Sequence, residues 1–504
     1  MDIIVRRSAL DSCEKVFERS LCLEEAAESV VPDTQPDAEY ILCAGGAAFI
    51  RSKDVNAGRV GLSAQAEVTA LYAAEGSGGI CALSAVVPIN VELEAPEVTP
   101  ESLAVADICL TNVEAKLLNP RKAVIRCTAS VRIECYNPGE LYVSAGLEGE
   151  GAEKVETLCG TCTVNPVVCV KEKTFAVSDE YQLQPGLLPI GTLLASRAEL
   201  CRGGVRSVGS RVVFSGSVRT RLLYLSNGGE LCSAQFETEF SQMLDTDCEF
   251  TSLDCTVISL LTAAYVEPVT LTGGEKGVSA EYHIVSQCVC ADTVTVQCIK
   301  DCYSNAFELS PEYAQSAAGA VRRRASVRAS AHEELAASPV PVSVCRADCC
   351  LGETEYDRGA LRCQGTVTVL YTAADGRVYS ARRRLGFEAA VELEPSESVG
   401  SAGAQCAECT ATIAQGGFEI RAAADFELIS EKRAALSQLT ELGCGEALDL
   451  SGRPSVTVIR AAEGDTLWSI GKRCHSTAAE ISRLNNLGEN PELTGRVLLI
   501  PRAR

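Results

Sequence analysis

Val60–Tyr72 reads VGLSAQAEVTALY and runs into AAEGSGG. Two later stretches repeat it: Val212–Tyr224, VVFSGSVRTRLLY followed by LSNGGE, and Leu361–Tyr371, LRCQGTVTVLY followed by TAADGR. In the first copy Val60, Leu62, Ala64, Ala66, Val68, Ala70 and Tyr72 alternate with more polar neighbours. That is the period of a strand with one face buried. Asn227-Gly228 and Asp375-Gly376 then supply the positive φ that a tight hairpin demands. The returning stretches, Leu231–Met243 and Val378–Leu393, alternate too. The three tyrosines lie 152 and 147 residues apart, a period too long for a solenoid unit and equal to that of a whole domain. The sequence therefore predicts three tandem copies of one β domain.

Working outward, residues 1–15 form a short lead, and the copies occupy 16–148, 152–301 and 302–445. Val124–Cys135 is a further alternating strand, and Phe175–Leu188 resembles the entry Phe17–Val31. Turns about every ten residues favour a sandwich-like unit. Ser316–Ala337 is rich in Ala, Ser and Arg, with Arg322, Arg323, Arg324 and Arg328 close together. It reads as a linker, or as an insertion at 316–337 within the third copy. Gly443, Gly445, Gly452 and Pro454 mark a boundary before a tail at 453–504. The copies are expected to be separate domains, with protease cutting first near 148–152, 316–337 and 443–454.

A chain of 504 residues with 46% hydrophobic content has ample material for several cores. Its net charge of −22 makes nucleic acid and anionic membranes poor partners. The charge is uneven: the tail carries +3 and the body −25, so the tail is expected to meet a different partner. Met1–Leu10 lacks the long apolar stretch of a signal peptide, and no run of 18 apolar residues occurs. The expectation is a cytoplasmic protein without a transmembrane segment, whose 26 cysteines are thiols.

Catalytic chemistry finds little to build on. The three histidines, His283, His332 and His475, fall in three different segments, which leaves no basis for a histidine triad or zinc site. Phosphate-binding loops, G-x-S-x-G and H-E-x-x-H are absent from the sequence. The C-x-x-C pairs Cys159/Cys162 and Cys406/Cys409 lie 244 residues apart, from Cys162 to Cys406, in different copies, far more than a closed metal site uses. Cys109, Cys255 and Cys409 look like one repeat position; buried free thiols, metal ligands and late oxidative cross-links are the three readings. The expectation is a non-enzyme with no catalytic residue, no metal and no cofactor.

The tail is more specific. Val456–Ile459 suits a strand; Gly464-Asp465-Thr466 suits a turn that caps a helix. Thr477-Ala478-Ala479-Glu480 has capping-box spacing and starts a second helix, with Ile481 and Leu484 as its buried face. Val497–Ile500 is a closing strand stopped by Pro501. The expected order is β-α-α-β. GDTLWSI at 464–470, Leu484-Asn485 and Leu499-Ile500-Pro501 resemble a LysM domain. That resemblance implies binding of N-acetylglucosamine-containing glycans between Gly464, Asp465, Thr466, Leu467 and Glu489, Asn490, Pro491. Trp468, the only tryptophan, has two readings: a core residue beside Leu467 and Ile470, or a surface anchor with Lys472 one helical turn on.

Three β repeats followed by one LysM resemble the spore-coat (SPOCS) domain morphogenetic proteins of endospore-forming Firmicutes, above all those of clostridia that interact with the stage IV coat ATPase. The resemblance implies a non-catalytic scaffold in the mother-cell cytoplasm that recruits coat proteins to the forespore surface. It implies that the LysM binds the coat ATPase, with Gly464, Asp465, Thr466, Leu467, Trp468, Lys472, Asn490 and Pro491 as the contact set. The alternative is a wall-associated protein that binds peptidoglycan.

Overall fold

Each Leu-Tyr hairpin is the middle of a longer unit. In the first repeat the strands are β1 (Ile4–Val30), β2 (Ala38–Asn56), β3 (Arg59–Ala74), β4 (Ile80–Glu94), β5 (Leu103–Asn119) and β6 (Lys122–Glu148). They form two antiparallel sheets, ordered β2-β3-β4 and β1-β6-β5. The second repeat runs β7 (Val155–Val164), β8 (Val167–Gln182), β9 (Ile190–Val208), β10 (Arg211–Ser226), β11 (Leu231–Asp245), β12 (Leu253–Thr270), β13 (Lys276–Asp292) and β14 (Val294–Ser304). Its sheets are β9-β10-β11 and β12-β13-β8, with β7 paired to β14. The third runs β15 (Phe307–Ala336), β16 (Pro341–Asp357), β17 (Ala360–Ala373), β18 (Val378–Ala390), β19 (Ser398–Ala414) and β20 (Gly417–Ala447), in sheets β16-β17-β18 and β15-β20-β19. Strand makes up 77% of the chain and helix 4%, so the fold is mainly β. The computed structural model describes residues 3–76, 78–247, 253–272, 274–449, 451–452, 454–488 and 491–502.

Alternation explains the sandwiches. Leu62, Ala64, Ala66, Val68 and Ala70 of β3 turn to one face and meet Ile125, Cys127, Ala129, Val131 and Ile133 of β6 in one core. Leu361, Cys363, Val367 and Val369 of β17 meet Phe418, Ile420, Ala422 and Phe426 of β20 in the same way. The second repeat differs by a break in its long strands. Pro166 cannot donate to a ladder, and β7 ends just before it. There Asn165 bridges Gly319 of the third repeat instead. Gly319 has φ of 82°, and a Cβ on it would lie 1.6 Å from the Asn165 carbonyl oxygen. Only glycine fits that joint.

The repeats are not separate. Tyr72, Tyr224 and Tyr371 are buried inside their own repeats, but Leu71, Leu223 and Leu370 point the other way. These three leucines share one core with Leu42, Ile80 and Val378, so the leucines of the three Leu-Tyr pairs meet at a central axis. The contacts around it are cyclic: β4 touches β9, β11 touches β16, and β18 touches β2. Lys53 Nζ of the first repeat donates to Glu172 and Gln287 of the second, both at 2.7 Å. Arg202 of the second pairs with Glu427 of the third at 2.5 Å. Tyr379 of the third stacks on Tyr40 of the first at 6.2 Å, which closes the ring.

A second shared region lies beyond the sandwiches. The outer part of β1 with β6, the pair β7–β14, and the outer part of β15 with β20 form three two-stranded arms. Val5, Ile299, Cys302, Phe307, Leu439 and Leu442 pack between them. Buried Gln438 accepts the Ser144 N–H at 2.7 Å and donates to the Tyr142 carbonyl at 2.7 Å.

Ser316–Ala337, expected as a linker or insertion, is instead almost wholly part of β15, paired with β20 down to Ala336↔Gly417. Arg322, Arg323 and Arg324 are consecutive, so in the strand they point to alternate faces. Arg322 pairs with Glu431 at 3.1 Å, Arg328 with Asp425 at 2.5 Å, and Arg324 reaches the Cys255 carbonyl of the second repeat at 2.7 Å. The Ala/Ser content imitates a loop, but the pairing partner supplies the missing bulk.

Candidate functional site

The tail folds as expected in order: β21 (Val456–Arg460), α1 (Leu467–Cys474), α2 (Ala478–Leu484) and β22 (Val497–Pro501). The two strands pair antiparallel, Val456↔Pro501 to Arg460↔Val497. Ala461, Ile470, Ile481, Leu493, Leu498 and Ile500 form its core. Thr466 caps α1: its hydroxyl accepts the Ser469 N–H at 3.1 Å, and the Thr466 N–H donates to Ser469 Oγ at 2.9 Å. This reciprocal pair satisfies orphan donors at the first turn. Asn485 clamps α2 to β22 by donating to the Leu499 carbonyl at 2.6 Å and accepting the Leu499 N–H at 2.8 Å. Leu484, expected on the buried face, is 40% exposed, because Ile481 alone fills that side of the small core.

Residues 460–501 match the LysM domain family. That match marks the tail as a module of the peptidoglycan- and glycan-binding kind, and the three β repeats carry no family match. No curated protein and no solved structure matches the chain. No helix of the described residues is long and apolar enough to cross a membrane.

The eight expected contact residues separate into three groups. Gly464, with φ of 82°, and Thr466 are exposed at the turn before α1. Asp465 beside them turns inward. It accepts the Ala462 N–H at 2.9 Å and pairs with Arg473 at 3.1 Å, and these two contacts hold its carboxyl below the usual range. Leu467 is half-buried against the LysM core. Pro491 is half-buried in the opposite loop, while Glu489 and Asn490 lie outside the described residues. The loop and the turn are tied together: Gly495 N–H donates to the Ala461 carbonyl at 2.9 Å, and Ala461 N–H to the Arg496 carbonyl at 2.9 Å. Glu463, Gly464, Thr466, Glu492 and Thr494 are left exposed around this junction.

Trp468 and Lys472 form the third group, and they face the LysM's own chain. Trp468 Nε1–H donates to Asp301 Oδ2 at 2.9 Å, and Lys472 Nζ to Asp301 Oδ1 at 2.6 Å. Asp301 belongs to β14. Tyr303, two residues on along that strand, sets its ring edge-on to the indole at 4.7 Å and donates to the Ser476 carbonyl at 2.8 Å. Tyr313 of β15 also donates to Asp301, at 3.0 Å. Partial burial pushes the Asp301 carboxyl up, but donation from Lys472, Trp468 and Tyr313 outweighs it and holds the group below its ordinary value. Neither reading of Trp468 anticipated this. The residue is half-buried, and what covers it is the second repeat rather than the LysM core. Sequence reading missed Asp301 and Tyr303 because nothing local marks them: they sit at the end of an alternating strand like many others.

The C-x-x-C pairs also resolve into separate surroundings. Cys159 and Cys162 lie opposite Ile299 and Val296 in the β7–β14 ladder, so they point to opposite faces of one strand. Cys406 is buried in the third repeat, in the same core as Cys349. A single Cys₄ site cannot be made from them.

Proposed function

We propose that the protein is a non-catalytic scaffold that presents one glycan-binding LysM module on a ring of three β repeats. The observation that carries this reading is the asymmetry of the docked LysM. Its α1 face is engaged by Asp301 and Tyr303, while Glu463, Gly464 and Thr466 of the turn and Glu492, Thr494 and Gly495 of the loop stay exposed. That rim offers hydroxyls, carboxylates and backbone groups, the donors and acceptors a sugar chain pairs with. The glycan class is one containing N-acetylglucosamine, as in peptidoglycan.

The finer reading places this scaffold in the spore coat, on the mother-cell side of the forespore, with the ring recruiting coat proteins and the LysM meeting the stage IV coat ATPase. It rests on the repeat-plus-LysM resemblance and on the acidic body of −25 against a tail of +3. In that setting the ATPase would use the open rim, because Trp468 and Lys472 already hold Asp301. Calorimetric titration of the full chain with a pentamer of N-acetylglucosamine tests the first reading. Saturable one-to-one binding supports it. No heat with the glycan, together with retention of the coat ATPase on the immobilised chain, would replace it with the second.

A further inference from the structure

The three seams of the ring are built alike but filled differently. Five residues before each Leu-Tyr tyrosine stand Glu67, Arg219 and Thr366. Their neighbours on the returning strand are Val86, Glu237 and Arg384. At the first seam Glu67 pairs with Arg51 at 3.6 Å, and Arg51 reaches across to the Thr262 carbonyl at 3.3 Å. At the second, Arg219 pairs with Glu237 at 2.8 Å and reaches across to the Cys406 carbonyl at 3.1 Å. At the third, the residue is a threonine, too short and uncharged to bridge the seam as Arg51 and Arg219 do. The Cys350 thiol approaches the Thr111 carbonyl there, at 3.6 Å. An open cleft of about 630 Å³ remains between the third and first repeats.

The lining of this cleft is cationic although the molecule is acidic. Thr366 and Thr368 lie on the outer face of β17, directly opposite Arg384 and Arg382 of β18. Both arginines are exposed, and among the described residues neither has a carboxylate partner. Arg197 of the second repeat lines the cleft as well. It belongs to a cluster in which Arg197, Arg221 and Arg346 face the Cys350 thiol, Glu199 and Asp348. Three guanidinium groups against two carboxylates leave this cluster with an excess of positive charge. Glu114 and Glu353 also line the cleft, and their charge opposes an extended polyanion such as nucleic acid.

We infer that the cleft at the third seam binds a small anion carrying two or more acidic groups, held by Arg382 and Arg384 with the hydroxyls of Thr366 and Thr368. A volume of this size suits a small molecule, and guanidinium pairs recognise carboxylate and phosphate alike. The site is independent of the LysM rim. The test is calorimetric titration of the full chain with citrate and, separately, with pyrophosphate, at constant ionic strength. Binding of either at one site per chain supports the inference, and the preferred anion tells carboxylate from phosphate recognition. The double variant Arg382→Gln/Arg384→Gln should weaken binding about tenfold or more. Thr366→Glu should abolish it by pairing with Arg384, recreating with reversed order the ion pair that closes the second seam, and the chain should keep its thermal midpoint. No binding of either anion, or unchanged affinity in a folded double variant or in Thr366→Glu, would overturn it.

Discussion

Asp301 is the residue on which the position of the LysM turns. One carboxylate takes donors from Lys472, Trp468 and Tyr313, so Asp301→Ala leaves an indole N–H and an ammonium without their partner. Trp468 is the only tryptophan, and its fluorescence therefore reports docking directly. Asp301→Ala should shift emission to longer wavelength and increase quenching by acrylamide, while the β signal in circular dichroism stays unchanged. Gly471→Ala is a sharper probe, because its Cβ would lie 2.7 Å from Tyr303 Oη. Alanine favours the helix by about 1 kcal/mol, but the Cβ would also stand 3.0 Å from the Ser476 carbonyl oxygen of the LysM itself, so Asp301→Ala is the control that separates undocking from a strained α1–α2 turn. The pH dependence follows in sign from the carboxyl's lowered value. Docking energy from a depressed acid is fully present above its ordinary value of about 3.9 and is lost as pH falls through the depressed one. Emission should stay constant through neutral and mildly acid pH and shift only in strong acid; a shift centred above the ordinary value would exclude Asp301 as the controlling group. At this scale the sequence was half-legible. Gly464, Thr466 and Asp465 announced a capped turn by their types and spacing, but Trp468 and Lys472 could not name their partner, which lies over 160 residues away.

Elements with strong local signals were readable, and those defined by pairing were not. The LysM order β-α-α-β follows from caps, short apolar periods and a proline stop. Thr466→Ala removes the α1 cap and should cost about 1 kcal/mol, and Asn485→Ala unpairs two Leu499 backbone groups and should cost roughly 1–3 kcal/mol. Thermal melts followed at Trp468 measure both, and equal melts for Thr466→Ala and the unmodified protein would deny the cap its role. β15 shows the opposite case. Its Ala and Ser residues carry little apolar signal, so composition imitates a linker. Its strand character comes from β20, which pairs with it almost from end to end, and no window of sequence contains both. Thiol chemistry at this scale follows burial. Cys159 is exposed, whereas Cys255, Cys288 and Cys290 are buried, so alkylation of the native protein should label Cys159 early and those three only after denaturation.

For the whole molecule, the triplicated Leu-Tyr pair made the repeat visible, but it left the purpose of the leucine open. Tyrosine and leucine are adjacent in each strand and both are buried, which a two-layer sandwich alone does not require. The second buried face exists because Leu71, Leu223 and Leu370 meet at the axis. The ring is thus held by residues that look like ordinary strand residues in any single copy. Its consequence is cooperative: a repeat taken alone would expose its axis leucine, its seam and its arm. Limited proteolysis of the native chain should therefore release the LysM segment before it yields any repeat-sized fragment, in contrast to the cuts that independent domains would allow. Leu223→Ala tests the point. Leu223 is 0% exposed, and removing a fully buried leucine costs about 2–5 kcal/mol. If the axis core is shared, calorimetry should show one body transition moved down as a unit, and protease should then reach all three repeats together. A split in which only the second repeat melts early, with the first and third unmoved, would mean that the repeats fold independently and touch at the axis without depending on it.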